Sequence, residues 1–321
     1  MGSKPRVITV AAAQLGPARS LDTPRQETLG RMVALLDEAA KAGVRLVVYP
    51  ELAFTKFFPS HIIEDPDKLA GYFEPTSQAK PMQSSTRPTA NELGVDVSFG
   101  FGERFTSEAG KVTDFNSAIY YSATQRRGIA KYRKVHLPGR VDIDTRRNVI
   151  QQLEKRYFTP SDLGFQAFRV PDLVDGALKA ADAVSEQNPE GKGDPIEGYN
   201  TTAYAPQCGG DEAEQEAEAL FHHRLSCQSG SYTNACYSIN VAKAGWEDHG
   251  KMIAGSSIID PNGHIIAESN SYEDELVIAT IDLAKCRKGK ERVFAFGRDR
   301  RIEHYSLLSE QAGVEEPPLL S

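Results

Sequence analysis

The sequence predicts an α/β protein in which helices cover a sheet. Three observations predict this class. Val7 to Ala13 is a nearly continuous apolar run, the pattern of a strand buried on both faces. Leu29, Met32, Val33, Leu36 and Ala40 then recur at helical spacing, with Gly43 closing the helix. Arg45 to Tyr49 returns to strand, completing a strand–helix–strand unit.

The first helix is expected to begin at Thr23-Pro24-Arg25-Gln26. Thr23 would cap, Pro24 would take the first helical position, and Gln26 would complete a capping box. A second helical stretch closes at Asn91-Glu92 and is broken by Gly94, and VDVSFGFGERF reads as the next strand. Asn116 to Tyr121 and Ile129 to Lys134 flank Gln125-Arg126-Arg127-Gly128 as a hairpin. Leu220 to Ser231 reads as helix and Cys236 to Ala242 as strand. Ile253 to Ile259 and His264 to Ala267 make a hairpin around Asp260-Pro261-Asn262-Gly263, with Pro and Gly at turn positions. Leu276 to Ile281 is the last strand, and helix resumes at Leu283.

One domain is expected over residues 1–308, with 309–321 as a tail. Within it, residues 171–219 stand apart: strongly apolar residues thin out, and Glu, Gln, Gly, Asp and Pro dominate. Composition alone makes that segment a long surface loop or a partly disordered insert.

At 321 residues with 40% hydrophobic and 25% charged residues, the composition is that of an ordinary soluble globule. A net charge of −7 and a pI near 5.6 argue against a nucleic-acid partner. The short basic stretches at Arg126-Arg127 and Arg298 to Arg301 read as solvated surface. No run of 18 apolar residues exists, so no membrane partner is expected, and MGSKPR before the first strand gives no expectation of a signal sequence. The four cysteines, Cys208, Cys227, Cys236 and Cys286, lack the C-x-x-C spacing of a metal site, and a reducing, cytoplasmic setting is expected. His222-His223 likewise gives no metal spacing.

Three segments carry chemistry-bearing side chains. Glu51 follows Pro50 at the carboxyl end of a strand, where open α/β sheets place ligands. Apolar Leu52, Ala53, Phe54, Phe57 and Phe58 follow it, and desolvation suits a carboxylate to accept a proton near neutrality. A plain surface glutamate remains the other reading. Lys134 ends KYRK, in which Lys131 and Arg133 face one way and Tyr132 and Lys134 the other. It is either a solvent cation or a buried amine requiring a carboxylate partner. Glu154, in LEKRY, is either one side of a solvated helical turn or a second carboxylate. His136, in HLPG, has a turn or packing role as its alternative.

Together these segments resemble the carbon–nitrogen hydrolase (nitrilase) superfamily, and within it the N-carbamoyl-D-amino-acid amidohydrolases. The matching blocks, in the family's order, are YPELAFTKFFP, FNSAIYY, GIAKYRKVHLPG, QLEKRYFTPSDLGF, GYNT, FHHRLSCQSGSYTN, GSSIIDPNGHIIA and EDELVIATIDLAKCR. The resemblance implies a four-layer α-β-β-α sandwich. It implies Glu51 as general base, Lys134 as oxyanion stabiliser and Glu154 as the carboxylate positioning Lys134 and the substrate. It also implies His136, Asn200 and His223 in the neighbourhood of a small-molecule substrate, no cofactor or metal, and a symmetric homo-oligomer, dimer or tetramer.

One part of the pattern is missing. The family continues from its LGF block into a hydrophobic strand and then a cysteine nucleophile. Counting on from Leu163-Gly164-Phe165 places Ala180 at the cysteine, and Ala183 and Val184 where two arginines would hold a substrate carboxylate. Alanine has no nucleophilic atom. Cys208 is the thiol nearest the gap in sequence, whereas Cys227 and Cys236 read as packing residues. The expectation is an amidohydrolase by descent with very low activity. The alternative is a catalytically silent relative or an oligomeric binding scaffold.

Overall fold

The computed structural model describes residues 6–18, 21–77, 87–145, 150–168, 170, 212–248, 250–313 and 316. The segment 171–211, with Ala180, Asn200 and Cys208, lies outside the described residues.

The larger sheet runs in the order β12-β1-β2-β4-β5-β6. Its strands are β1 (Val7–Gln14), β2 (Leu46–Val48), β4 (Asp96–Thr106), β5 (Val112–Ser122), β6 (Arg127–Arg133) and β12 (Glu275–Asp282). β1, β2 and β4 are mutually parallel, and β12, β5 and β6 join antiparallel to their neighbours. β3 (Phe73–Ser77) adds to the far end of β4, in parallel.

A second sheet holds β11 (Ile265–Glu268), β10 (Ser257–Ile259) and β7 (Ser238–Asn240). A separate hairpin pairs β8 (Ala244–Glu247) with β9 (Gly250–Ile253).

The layering follows from side-chain alternation along β1. Ala11 and Ala13 pack with Val47, Val97 and Phe99 against Leu29, Met32 and Leu36 of α1 (Arg25–Lys41). Val10 and Ala12 face the other way and meet Val241 and Ile258, in the second sheet or beside it. Outside that sheet lies the long helix α5 (Glu212–Asn234), in contact with β7 and β10. Helix, sheet, sheet and helix form the four-layer α-β-β-α sandwich.

A third apolar cluster closes the carboxyl end of β2. Leu52, Phe57, Phe58, Leu137, Leu153, Tyr157, Phe158 and Met252 pack together, gathering the chain after β2 and the short helix α4 (Glu154–Tyr157). Phe58 stacks on Tyr72 at 4.8 Å between ring centroids and meets Phe158 edge-on at 5.7 Å. Between these elements lie the short helices α2 (Pro66–Ala70) and α3 (Arg87–Leu93).

Four expectations are corrected. Helix α1 starts at Arg25 with Pro24 in the cap position, so no side chain caps it there. Residues 212–219, read from composition as loop, belong to α5, because Glu, Gln and Ala are strong helix formers whatever their polarity. The run Ile253 to Ile259 is two strands rather than one, broken where Ala254 and Gly255 take positive φ. Leu283 onward is a string of short turns, including a π-turn over Gly289–Val293, rather than one regular helix.

Among the described residues, no helix is long and apolar enough to cross a membrane.

Candidate active site

Glu51 lies just beyond β2, where the chain turns sharply: Leu52 adopts a left-handed φ of 47°. Non-glycine residues rarely accept that conformation, and it marks a turn held by its surroundings. Gly100 of β4 makes the turn possible. A Cβ at Gly100 would stand 2.6 Å from Glu51 Cα. With no side chain there, the Gly100 N–H donates to Pro50 O and its carbonyl accepts from Ala53 N–H. Glu51 is thereby held in place and buried, at 5% exposure.

Lys134 lies one residue past β6, its backbone N–H donating to Asn116 O on β5. The alternation anticipated in KYRK is observed: Lys131 and Arg133 both reach Glu103, while Lys134 points to the other side. Its ammonium Nζ is 2.9 Å from Glu51 Oε1 and 3.1 Å from Glu154 Oε2. Glu154 opens α4, positioned by Leu153, whose N–H donates to Pro59 O. The acid and the amine, 83 residues apart in the chain, meet in one buried cluster.

Asn116 completes the cluster and was not singled out by its sequence. Its Nδ2 donates to Glu51 Oε1 and, at 3.3 Å, to Glu154 Oε2. The available signal was its place in the FNSAIYY block, one residue from Ser117, which points to Glu103. Gln152 Nε2 donates to the second oxygen of Glu154 at 3.1 Å.

Two carboxylates share one ammonium, so the cluster would carry excess negative charge were both ionised. Burial and the nearby charge of Glu51 push Glu154 up to about 7, against the pull of Lys134 and Asn116. Near neutrality the group therefore moves between proton donor and acceptor.

A second buried ion pair, invisible to motif reading, lies behind this cluster. Lys243 donates to Thr55 O and pairs with Glu247 Oε1 at 3.5 Å. Glu247 also accepts from the backbone N–H of Phe57 and of Ala18. Burial lowers the Lys243 pKa, while the charges of Glu247 and Glu51 oppose the shift.

The other anticipated residues lie elsewhere. His136 is exposed, its ring against Phe165, and stands outside the hydrogen-bonded cluster. His223 is buried on α5, with a backbone hydrogen bond at Gly255 and Nδ1 3.8 Å from Cys227 Sγ. Burial lowers its pKa, so it is neutral at pH 7. Asn200 falls outside the described residues.

Three thiols can be placed. Burial pushes Cys227 up to about 12, so it stays protonated. Cys286 follows β12, whose last residue Asp282 lies opposite Val7 at the start of β1. That end of the sheet is the one opposite Glu51, which follows the carboxyl end of the parallel strand β2. Cys236 belongs to the same far end, since the neighbouring Tyr237 hydrogen-bonds the backbone of Asp282. Among the described residues, no group of three or more His, Cys, Asp or Glu is arranged to hold a metal ion.

The family model described as carbon–nitrogen hydrolase matches residues 9–184 and 211–291 of the chain. The break at 185–210 falls inside the segment that the composition sets apart. A nitrilase of Pyrococcus abyssi is 26% identical over 303 residues, covering 93% of this chain and 99% of that protein. An N-carbamoylputrescine amidase of Solanum lycopersicum is 24% identical, with 96% of this chain and 97% of that protein covered. Among solved structures, a carbon–nitrogen hydrolase from Helicobacter pylori G27 superposes with a TM-score of 0.67 at 20% identity. That match covers 95% of this chain and 99% of the other.

Proposed function

Because the chain belongs to the carbon–nitrogen hydrolase family, we propose that the Glu51–Lys134–Glu154 cluster serves hydrolysis of a linear, non-peptide C–N bond. The substrate in this reading is an N-carbamoyl-D-amino acid, converted to the D-amino acid, carbon dioxide and ammonia. The observation that carries it is the buried contact of one ammonium with two carboxylates. Similarity to an N-carbamoylputrescine amidase agrees with a carbamoyl group as the reacting part.

The roles follow from charge. Lys134, paired with Glu51 and Glu154, faces the oxygen on which negative charge develops as the carbamoyl carbon becomes tetrahedral. Glu51 takes the proton of the attacking nucleophile. Glu154, balanced near neutrality, orients Lys134 and passes a proton toward the departing ammonia; water then frees a carbamate, which loses carbon dioxide to leave the D-amino acid. The reading includes His136, Asn200 and His223 as substrate neighbours and a single domain over 1–308 with a tail at 309–321. It also includes a reducing cytoplasmic setting, a homo-oligomeric assembly and no cofactor.

The family's acyl-enzyme step needs a thiol, and Ala180 stands where the sequence register puts it. Turnover by this chain is accordingly slow, with the acid–base cluster retained. The same substitution favours the second reading, a catalytically silent relative that still binds.

Ammonia release and calorimetric binding with N-carbamoyl-D-phenylalanine test both readings. The expected result is saturable binding with slow release, the release falling about 10²–10³-fold in Lys134→Met. Robust turnover that survives Cys208→Ala would show the register at 180 to be wrong. Turnover abolished by Cys208→Ala would identify a relocated thiol. Binding without release supports the silent relative, and neither binding nor release sinks the proposal.

A further inference from the structure

The Lys243–Glu247 pair has no part in the chemistry above, yet two of the groups it holds, Thr55 and Phe57, follow Glu51 closely in the chain. Glu247, 2% exposed, accepts three donors: the N–H of Phe57 at 2.8 Å, the N–H of Ala18 at 3.3 Å, and Lys243 Nζ at 3.5 Å. Lys243, 3% exposed, donates to the carbonyl of Thr55. The two side chains thus grip the backbone at both ends of the turn Thr55-Lys56-Phe57, four to six residues after Glu51.

The pair is anchored from behind as well. Lys243 bridges Leu15 just past the end of β1, and Ala244 N–H donates to Leu15 O at 2.8 Å. β1 is the parallel neighbour of β2, which delivers Glu51. A fixed sheet end therefore holds one side of the pair and the Glu51 turn hangs on the other.

A fully buried ion pair seldom adds net stability over an apolar pair of similar volume. Its presence here is accounted for by position and charge: it meets backbone groups of an irregular turn that would otherwise be unpaired. It also brings a second cation into the field of Glu51. We propose that Lys243 and Glu247 are positioning residues for Glu51, clamping the 55–57 turn so that the carboxylate stays on Lys134. This rests on the function proposed above, because it assigns Glu51 a task that requires exact placement. The clamp itself does not depend on turnover.

The test uses the full-length chain and its Glu247→Gln and Lys243→Met variants, with thermal unfolding as the check on folding. Amide hydrogen exchange is read along the chain, together with ammonia release from N-carbamoyl-D-phenylalanine. A clamp predicts exchange at residues 52–57 accelerated about tenfold or more in both variants, with β1, β4 and β5 unchanged. It also predicts kcat reduced with KM held, since both residues act here through the backbone of the turn and not on substrate binding. Unchanged exchange at 52–57, or acceleration spread evenly over the sheet, overturns the proposal. Should either variant fail to fold, Glu247→Asp, which keeps the charge and shortens the reach, gives the same readout. A wild-type chain that neither binds nor hydrolyses the substrate sinks the proposed function instead, and the exchange pattern still decides the clamp.

Discussion

Two buried charge clusters sit back to back on β5 and β6, built from the same residue types and neighbouring positions. On one face Arg133, Lys131 and Ser117 converge on Glu103; on the other, Lys134 and Asn116 converge on Glu51 and Glu154. The difference lies in the ratio of donors to carboxylates. Glu103 alone receives Thr76 Oγ1 at 2.7 Å, Ser117 Oγ at 2.8 Å, Lys131 Nζ at 2.7 Å and Arg133 Nε at 2.8 Å. Although burial opposes ionisation, those donors hold its pKa down at about 2. Two carboxylates divide Lys134 and Asn116 between them, with Gln152 reaching only the second oxygen of Glu154, and Glu154 rises to about 7. A saturated carboxylate is a structural anchor, whereas an undersupplied one keeps a proton in play.

The largest expected effect falls on the saturated side. Glu103→Gln removes one of the two carboxylates on the buried Arg133 guanidinium, Asp162 keeping the other, and it also takes the partner of Lys131. The loss therefore approaches about 3–5 kcal/mol, the cost of a buried pair broken from one side. Urea unfolding measures this, and a loss below about 1 kcal/mol would dissolve the contrast. Lys134→Met is expected to act oppositely. Stability changes less, because Glu154 takes up a proton, while ammonia release falls about 10²–10³-fold for a lost oxyanion donor. Equal losses of stability in the two variants would mean that both clusters are merely structural.

The two carboxylates also bend the pH–stability curve in opposite senses. Glu103 titrates near 2 when folded and near 4.5 when unfolded. Its contribution is full above 4.5 and is lost as pH falls toward 2. Glu154 titrates near 7 when folded, so between 4.5 and 7 the unfolded chain has released a proton that the native chain retains. Stability from that group is full below 4.5 and declines as pH rises to 7. Glu154→Gln, which mimics the protonated form, is expected to flatten this decline and to stabilise the chain at pH 8 relative to wild type. Unfolding midpoints from pH 4 to 8 check the sign; a variant less stable at pH 8 would show Lys134 to outweigh burial.

What the sequence made legible follows the same division. Glu51, Lys134 and Glu154 were legible because blocks at a strand end, on an alternating strand and in a helical turn together resemble one family's pattern, although each residue alone also fitted a solvated surface. The sheet strands were found where apolar runs or alternation persist for five residues or more. Asn116, Lys243 and Glu247 escaped because their roles depend on contacts far away in the chain, such as Phe57 with Glu247. The β8–β9 hairpin escaped because its strands are four residues long, one exposes Trp246, and Asp248 turns the chain through a positive φ. Residues 212–219 escaped for another reason. Polarity was weighed as loop, although alanine and glutamate propensity favoured helix.

The smallest expected effect concerns Cys227, a thiol in contact with a histidine. A Cys–His contact at 3.8 Å resembles an activated nucleophile. Activation requires a thiolate, however, and burial drives this thiol the other way, up to about 12, beside a histidine that burial keeps neutral. Two groups that each resist charge make a packing contact. Cys227→Ala is therefore expected to leave ammonia release unchanged, to cost about 1 kcal/mol in urea unfolding, and to remove no fast-alkylating thiol in an iodoacetamide time course. Loss of ammonia release in this variant would move the reacting centre from the Glu51–Lys134 cluster to α5. It would also reverse the contrast drawn between a saturated carboxylate and an undersupplied one.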